Sequence, residues 1–260
     1  MEFALITGAS KGIGKAIAEE LASRHTPVLL IARSEALLAE LAAGLSAKYG
    51  VAAYYLAIDL ADPAAPSQIH AWVQQNGYRV NILINNAGYG LSGPFDQYSA
   101  KEHSDMMRVN MEVPVVLCSL FLPMLKSVAK SYILNIASAA AYQAVPGLSA
   151  YAGSKAFILM FSRGLRYELR RAGVSVTVVS PGATDTGFAS RAKVTGRKAV
   201  KAAERFNMKP EAVAKLAVDA MYAGKAESIT GFVNKLGAFF VWLLPKSLAE
   251  KTGAGLYEIE

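Results

Sequence analysis

Short apolar runs rich in β-branched residues alternate along this chain with longer stretches in which apolar residues recur at helical spacing. The apolar runs predict six strands, at residues 3–7, 27–32, 52–58, 81–85, 132–137 and 174–180. A seventh strand is predicted near residues 228–233. The helical stretches lie at about 12–24, 35–48, 63–75, 99–126, 149–171 and 210–223.

Strands this apolar, each followed by a helix, indicate a parallel sheet with helices covering both faces. We therefore predict an α/β fold of the Rossmann type, with a doubly wound parallel sheet of about seven strands. A single domain spans residues 1–260, since no linker, proline-rich tract or low-complexity segment divides the chain. Ligands of such folds bind beyond the carboxyl ends of the strands.

The composition adds limits on location and chemistry. Hydrophobic residues make up 53% of the chain and charged residues 18%, which excludes a disordered protein. Cys118 is the only cysteine and the N-terminus has no secretory pattern, so we expect a cytoplasmic protein without disulfides. The most apolar stretch, residues 238–244, is shorter than the ~20 residues of a spanning helix. His25, His70 and His103 are scattered, so no metal site is expected.

A glycine-rich turn, Thr7-Gly-Ala-Ser-Lys-Gly-Ile-Gly14, joins the first predicted strand to the first predicted helix. Gly8 permits the tight turn, Gly12 lets the backbone approach a pyrophosphate, and Gly14 lets the helix pack on the sheet. The helix N-terminus offers free N–H groups to phosphates. Three glycines alone also suit a flexible turn, but their place between strand and helix predicts a nucleotide site. Its residues are Gly8, Ser10, Lys11, Gly12, Ile13 and Gly14.

The end of the second predicted strand indicates which nucleotide binds. Enzymes that prefer NAD place an acid about 20 residues past the glycines to hold the ribose 2′-hydroxyl. Here the strand ends Ile31-Ala-Arg33, without an acid. Arginine pairs well with a 2′-phosphate, and Lys11 adds a second positive charge. The sequence therefore favours NADP(H) over NAD(H), although Arg33 also suits an ordinary solvated surface charge.

Tyr151-Ala-Gly-Ser-Lys155 opens a predicted helix. Residues four apart share a helix face, so the phenol and the ammonium point at one ligand. A nearby cation favours the phenolate and lowers the tyrosine pKa from its ordinary value of about 10. A phenol of this kind suits a general acid for a developing alkoxide, or a base for an alcohol. Such a pair is also common on protein surfaces. Its position after the fifth predicted strand is what favours a role in proton transfer.

In combination these motifs resemble the short-chain dehydrogenase/reductase family, and the resemblance runs from residue 3 to about residue 186. The motifs, in order, are Thr7-Gly-x-x-x-Gly12-x-Gly14, Asn85-Asn-Ala-Gly88, Asn110, Ser138, Tyr151-x-x-x-Lys155 and Pro181-Gly182. The resemblance implies a catalytic set of Asn110, Ser138, Tyr151 and Lys155. Ser138 would hydrogen-bond the substrate oxygen, and Asn110 would hold a water that connects Lys155 to solvent.

The same resemblance implies further cofactor contacts. Lys155 would bind the nicotinamide ribose, Asp59 the adenine and Thr186 the carboxamide, while residues 85–88 would stabilise the sheet centre. The other expected cofactor contacts are Leu60, Asn86, Ala87, Gly88, Tyr151, Pro181, Gly182 and Thr184. The helices at 99–126 and 149–171 would form the interface of a homodimer or homotetramer.

These expectations describe an NADPH-dependent oxidoreductase that transfers a hydride between nicotinamide and a carbonyl or alcohol, with Tyr151 as general acid and base. The alternative is a catalytically silent NADP(H)-sensing protein that acts through partners. The intact catalytic set argues against it.

Residues 186–260 are expected to form a substrate lid and an apolar C-terminal segment. Seven basic residues accompany Glu204 between 191 and 209: Arg191, Lys193, Arg197, Lys198, Lys201, Arg205 and Lys209. They suit either a solvated helix face or a docking surface for an anionic acyl carrier or membrane. The aromatic-rich residues 229–244 suit a cover for an apolar substrate, a subunit contact or a membrane interface. We therefore expect a lipophilic carbonyl substrate, ketoacyl- or steroid-like. Without zinc-finger spacing or basic–aromatic interleaving, no nucleic acid partner is expected.

Overall fold

A parallel sheet dominates the computed structural model, which describes residues 1–192, 201 and 207–257. Within these residues the strands are β1 (Glu2–Thr7), β2 (Val28–Ala32), β3 (Ala53–Ala57), β4 (Arg79–Asn85), β5 (Ser131–Ile136), β6 (Val174–Ser180) and β7 (Glu227–Ile229). Their order is β3-β2-β1-β4-β5-β6-β7, and every neighbouring pair is parallel. The predicted doubly wound sheet is confirmed.

Helices cover both faces of the sheet. They are α1 (Gly12–Ser23), α2 (Glu35–Tyr49), α3 (Ala65–Gln75), α4 (Ala100–Met107), α5 (Val113–Lys126), α6 (Ser149–Leu169), α7 (Phe188–Arg191), α8 (Pro210–Tyr222), α9 (Phe232–Leu243) and α10 (Lys246–Tyr257). One core contains the apolar faces of α1, α2 and α8, and the other contains those of α3, α5 and the end of α6. The strand order reverses between β1 and β4, which opens a crevice at the carboxyl ends of these strands.

Most of the sheet is buried because its strands are rich in Val, Ile, Leu and Ala. All residues of β2 and β5 are buried. A polar chain crosses the sheet centre, where Asn85 Nδ2 donates to Asn135 Oδ1 at 2.9 Å and Asn135 Nδ2 donates to Ser162 Oγ at 2.8 Å. Asn85 Nδ2 also lies 3.4 Å from Cys118 Sγ. This chain ties β4, β5 and α6 together beneath the crevice.

The helix predicted at 99–126 contains one irregularity. A capping box of Ser99 and Glu102 starts it, and a π-helical turn at Arg108–Glu112 separates α4 from α5. Within the stretch Ala100–Lys126 an 18-residue window has a mean hydropathy of 1.5, and the stretch is long enough to cross a membrane. Its apolar side chains Leu117, Phe121 and others are buried against the sheet, as in the core helix of a globular fold.

One boundary in the C-terminal part differs from the sequence prediction. The seventh strand ends at Ile229, and Phe232 and Val233 are helical, because Gly231 adopts a φ of +81° that ends the extended chain. Helix α8, which the sequence predicted at 210–223, lies within the range 186–260 expected to hold the lid and the apolar tail. This helix buries Val213, Ala217 and other small apolar residues against α1, so it is part of the core.

Candidate active site

The glycine turn at the end of β1 is shaped by contacts that exclude side chains. Gly8 and Gly12 have φ values of +68° and +57°, which favour glycine. A Cβ on Gly14 would lie 2.9 Å from the Gly8 carbonyl carbon and closer still to its oxygen and to Asn86 Nδ2. Helix α1 therefore packs directly on the turn, and its N-terminus faces the crevice.

Thr7 and Asn86 fasten this turn to the end of β4. Thr7 Oγ1 donates to Ile84 O at 3.2 Å and accepts from the amides of Asn86 and Ala87 at 3.0 and 3.1 Å. Asn86 Nδ2 donates to Thr7 O at 2.9 Å. The sequence prediction did not assign a role to Thr7. Its only signal was a hydroxyl at the end of an otherwise apolar strand.

The segment after β6 closes over the turn from the other side. A Cβ on Gly12 would lie 2.8 Å from Thr186 Cβ, so Thr186 touches the phosphate turn. Thr184 Oγ1 donates to Gly182 O at 3.0 Å, which holds the backbone between them. Gly182 packs against the side chain of Asn234 from α9 so closely that no Cβ fits there.

At the far end of the crevice, two expected cofactor residues meet each other. Arg33 Nη1 lies 3.8 Å from Asp59 Oδ2, and both side chains are more than half exposed. They follow the carboxyl ends of β2 and β3, while Leu60 beside them is buried. Lys11 is exposed at the start of α1. This end therefore carries two exposed cations, one of them already beside a carboxylate.

Tyr151 and Lys155 occupy the first two turns of α6 and are only 8% and 5% exposed. Lys155 Nζ donates to Ile136 O at 2.9 Å and lies 5.9 Å from the centroid of the Tyr151 ring. Burial lowers the pKa of Lys155 to about 8. A Cβ on Gly88 would lie 3.1 Å from Lys155 Nζ, so the ends of β4 and β5 both reach the ammonium.

Asn110 completes this cluster from the π-helical turn. Its Nδ2 donates to Tyr89 O at 2.9 Å and to Ser154 Oγ at 3.0 Å, and its Oδ1 accepts from Tyr89 N at 3.1 Å. Ser154 Oγ in turn donates to Tyr151 O at 2.7 Å. Both amide hydrogens of Asn110 are thus used within the protein. Its expected part in a water relay stays a prediction.

Ser138 lies at the carboxyl end of β5 and begins a short 3₁₀ turn, Ala139–Tyr142, that packs on α6. Its Oγ accepts from Ala140 N at 3.1 Å, which leaves the hydroxyl hydrogen for another acceptor. The amide of Ala139 donates to Pro181 O at 2.7 Å. The two motifs at Ser138 and Pro181 are therefore neighbours, as their place at the ends of β5 and β6 implies.

A polar network that the sequence prediction missed anchors the far end of this turn. Tyr142 Oη lies 2.6 Å from Glu227 Oε1 and 3.1 Å from Ser180 Oγ, and Arg163 pairs with the other oxygen of Glu227. Burial, and then the bond to Glu227, raise the pKa of the Tyr142 phenol above its ordinary value. These residues are far apart in sequence, so no local pattern could have joined them.

Phe188 from α7 lies against the ring of Tyr151. The ring centroids of Tyr151 and Phe188 are 5.2 Å apart, and a Cβ on Gly90 would lie 2.9 Å from Phe188 Cζ. The amide of Ser92 donates to Ala192 O at 2.9 Å, which ties α7 to the loop after β4. The residues above Tyr151 are therefore aromatic and apolar. The sequence prediction placed a lid here without identifying Phe188.

The remaining expectations concern the basic segment, the histidines and metal binding. Lys193, Arg197, Lys198, Glu204 and Arg205 of the basic segment lie outside the described residues. The rings of His70 and His103 contact aromatic neighbours, Phe121 and Phe95. Within residues 1–192, 201 and 207–257, no group of three or more His, Cys, Asp or Glu is placed to hold a metal ion.

Known proteins share much of this sequence and its fold. The family described as short chain dehydrogenase matches residues 2–195. Over 184 residues the chain is 36% identical to very-long-chain 3-oxoacyl-CoA reductase-A of Danio rerio, covering 69% of this chain and 57% of that protein. Over 198 residues it is 36% identical to the ketoacyl reductase HetN of Nostoc sp., covering 75% of this chain and 68% of that one.

Among solved structures, a short-chain dehydrogenase from Sphingobium yanoikuyae in complex with NADPH superposes with a TM-score of 0.82 at 30% identity. The superposition covers 96% of this chain and 95% of that one. The chain thus spans less than two thirds of the zebrafish relative, but nearly the whole of this NADPH-bound structure.

Proposed function

Because this chain belongs to the short chain dehydrogenase family, we propose that it is an NADPH-dependent oxidoreductase acting on a carbonyl or alcohol. The observation that carries the proposal is the buried cluster of Asn110, Tyr151 and Lys155. It lies beside Gly88, at the carboxyl ends of the central strands, where doubly wound folds bind nucleotides.

The crevice fits a nicotinamide nucleotide. Gly12 and Gly14 leave no room for side chains, and the N-terminus of α1 presents free N–H groups to a pyrophosphate. The bound cofactor would supply the hydride. The residues that would hold it are Gly8, Ser10, Lys11, Gly12, Ile13, Gly14, Arg33, Asp59, Leu60, Asn86, Ala87, Gly88, Tyr151, Lys155, Pro181, Gly182, Thr184 and Thr186.

We assign Tyr151 as the residue that transfers a proton to or from the substrate oxygen. The Lys155 ammonium near its ring favours the phenolate, which makes the phenol a stronger acid toward a substrate oxygen. Ser138 would donate its free hydroxyl hydrogen to the same oxygen and stabilise the charge that develops there. Because the pKa of Lys155 is about 8, its cation is present below that pH and is lost as the pH rises through it.

The preference for NADP(H) is assigned to Arg33. No acid stands at the end of β2 to accept from a ribose 2′-hydroxyl, and the exposed Arg33 guanidinium is accessible to a phosphate. Arg33→Ala should raise the KM for NADPH by about 10- to 100-fold, as loss of a charge-assisted bond of about 1.5–3 kcal/mol requires. The KM for NADH should stay unchanged. The matched control, Arg79→Ala, removes an exposed arginine from the opposite end of the sheet. Equal losses in both variants would contradict the assignment.

The substrate is proposed to be a lipophilic carbonyl, ketoacyl- or steroid-like. Phe188 lines the space above Tyr151, and the apolar helix α9 packs on the turn that follows Ser138. Two relatives carry names of ketoacyl and 3-oxoacyl-CoA reductases. A carrier-bound acyl chain is one form that such a substrate would take.

The first experiment measures NADPH consumption with ketones of increasing apolar length. Tyr151→Phe should abolish turnover and keep NADPH binding, because only the reacting hydroxyl is removed. The matched control, Tyr167→Phe, removes an exposed hydroxyl from the same helix and should change nothing. Near-normal turnover in Tyr151→Phe would overturn the proposal. Tight NADPH binding without turnover on any ketone or acyl carrier substrate would favour the sensing protein instead.

We further propose a cytoplasmic homodimer or homotetramer. Phe157 and Met160 are exposed on α6, and Phe157 stacks on Phe161. An apolar helix face of this kind suits a second copy of the chain. Sedimentation of the native protein beside Met160→Glu tests this, since the charge should lower the mass of the assembly. An unchanged mass would move the interface elsewhere.

A further inference from the structure

Helix α9 presents its large apolar side chains to the outside. At about 3.6 residues per turn, they occupy half of the helix circumference. They are Phe232, Val233, Leu236, Phe239, Phe240, Trp242 and Leu243, all exposed. The opposite face, with Asn234, Ala238 and Val241, is the partly buried one. The usual arrangement of an amphipathic helix is thus inverted.

Asn234 explains how this orientation is fixed. Its Nδ2 donates to Thr230 O at 2.7 Å, and its side chain fills the space that Gly182 leaves by lacking a Cβ. The polar residue of α9 is therefore held against the end of β6. The aromatic residues are forced to the other side, where the Phe239 ring contacts those of Phe240 and Trp242.

An exposed apolar patch of this size marks a surface that contacts a partner or a membrane. The length of α9 limits how the helix can contact a membrane. Twelve residues of helix extend about 18 Å, well short of the ~30 Å of a bilayer core. The helix is therefore suited to lie along a membrane surface rather than to cross it.

The charges around the patch favour a lipid surface that is anionic. Lys235 lies on α9 itself, and Lys246 and Lys251 are exposed on the following helix, with Glu250 as the acid among them. The whole chain carries a net charge of +7. Lysines on an aromatic helix and on the helix that follows it suit anionic headgroups, whereas a second copy would bring the same cations together.

We propose that α9 docks the protein on an anionic membrane surface, with its aromatic face among the headgroups. The helix packs on the turn that follows Ser138, so a docked protein would hold the crevice close to the lipid. A lipophilic carbonyl would then enter from the membrane. This last step rests on the proposed reductase function, whereas the docking itself does not.

Tryptophan fluorescence offers a direct test, because the chain has only two tryptophans. Trp72→Phe keeps an aromatic ring beside Tyr78 and leaves Trp242 as the reporter. With vesicles of phosphatidylcholine and phosphatidylserine, the Trp242 emission should shift to the blue and be quenched by brominated lipid. An emission that vesicles leave unchanged would overturn the proposal.

Pelleting with the same vesicles tests which residues bind. Phe239→Glu should lower the partition coefficient at least about tenfold, from lost apolar contact and added repulsion. Lys235→Gln and Lys246→Gln should each lower it about fivefold. The control, Leu216→Glu, adds the same charge to an exposed leucine of α8 and should pellet normally. Equal losses in Leu216→Glu and Phe239→Glu would also overturn the proposal.

Two measurements distinguish membrane docking from self-association and from a role confined to catalysis. If Phe239→Glu lowers the mass in sedimentation and vesicle binding is absent, α9 contacts a second copy and the proposal fails. Tyr151→Phe should pellet with vesicles like the unaltered protein, so this variant measures membrane binding in the absence of turnover. If docking and reduction are both correct, Phe239→Glu should slow turnover of a vesicle-borne ketone and spare that of a short soluble ketone. Equal turnover of the vesicle-borne ketone would refute delivery through the membrane.

Discussion

Replacing Gly14 with alanine adds one methyl group where the structure leaves no space. The new carbon would lie 2.9 Å from the Gly8 carbonyl carbon and closer still to the Gly8 oxygen. Contacts between a carbon and a carbonyl oxygen normally begin at about 3.3 Å, so the contact with the oxygen is far too short. It would also overlap Asn86 Nδ2, which is fixed by its bond to Thr7 O. Neither neighbour is the free end of a flexible side chain, so α1 must move away from the turn.

Overpacking of a closed site costs about 1–3 kcal/mol of unfolding free energy, and backbone contacts put this substitution at the upper end. A loss of about 3 kcal/mol should lower the melting temperature of a chain this size by about 6–12 °C. The shift of α1 should also weaken NADPH binding, because the N–H groups that face the pyrophosphate move with it.

Gly44→Ala is the matched control. Gly44 lies in the interior of α2, and beyond the backbone of its own helix nothing lies within 4 Å of its would-be Cβ, so the same methyl should stabilise the protein by about 0.5–1 kcal/mol. Urea unfolding and thermal melting should show a lower unfolding free energy for Gly14→Ala and a higher one for Gly44→Ala. A Gly14→Ala protein that melts within about 1 °C of the unaltered protein would refute this account of the turn.

Two further predictions concern groups beneath the site. Burial raises the pKa of Cys118 to about 12, so the thiol should stay protonated and unreactive toward a disulfide reagent at pH 8. It should react only on unfolding, and rapid labelling of the native protein would contradict the burial. Tyr142→Phe should lower the unfolding free energy by about 1.5–3 kcal/mol, because Glu227 loses a hydrogen bond to its carboxylate. Tyr167→Phe, with an exposed hydroxyl, should be neutral in the same urea titration.

Much of the framework was predictable because it depends on local pattern. The apolar runs gave the six main strands to within two residues, and the doubly wound order follows from strands that alternate with helices. The expectation that Tyr151 and Lys155 share a helix face also agrees with their position on α6. These features need only the periodicity of the chain and the geometry of one helix.

The parts that could not be predicted depend on contacts between distant residues. Arg33 and Asp59 received separate roles from the sequence, yet their side chains approach each other across two strands. The apolar residues at 229–244 suited several structures, and the contact of Asn234 with Gly182 decides which side faces outward. Phe188 reaches Tyr151 only after the chain returns from β6. No local pattern records such pairings.

The π-helical turn at Arg108–Glu112 has a consequence for insertions and deletions. A π turn holds one residue more than an α turn, so α4 and α5 are out of phase with each other by one residue. This offset lets α5 bury Leu117 against the sheet while Asn110 still points at Ser154. Deleting one residue from the turn would restore a regular helix and rotate α4 by about 100° relative to α5. A regular helix of the same sequence could bury Leu117 against the sheet or direct Asn110 at Ser154, but not both.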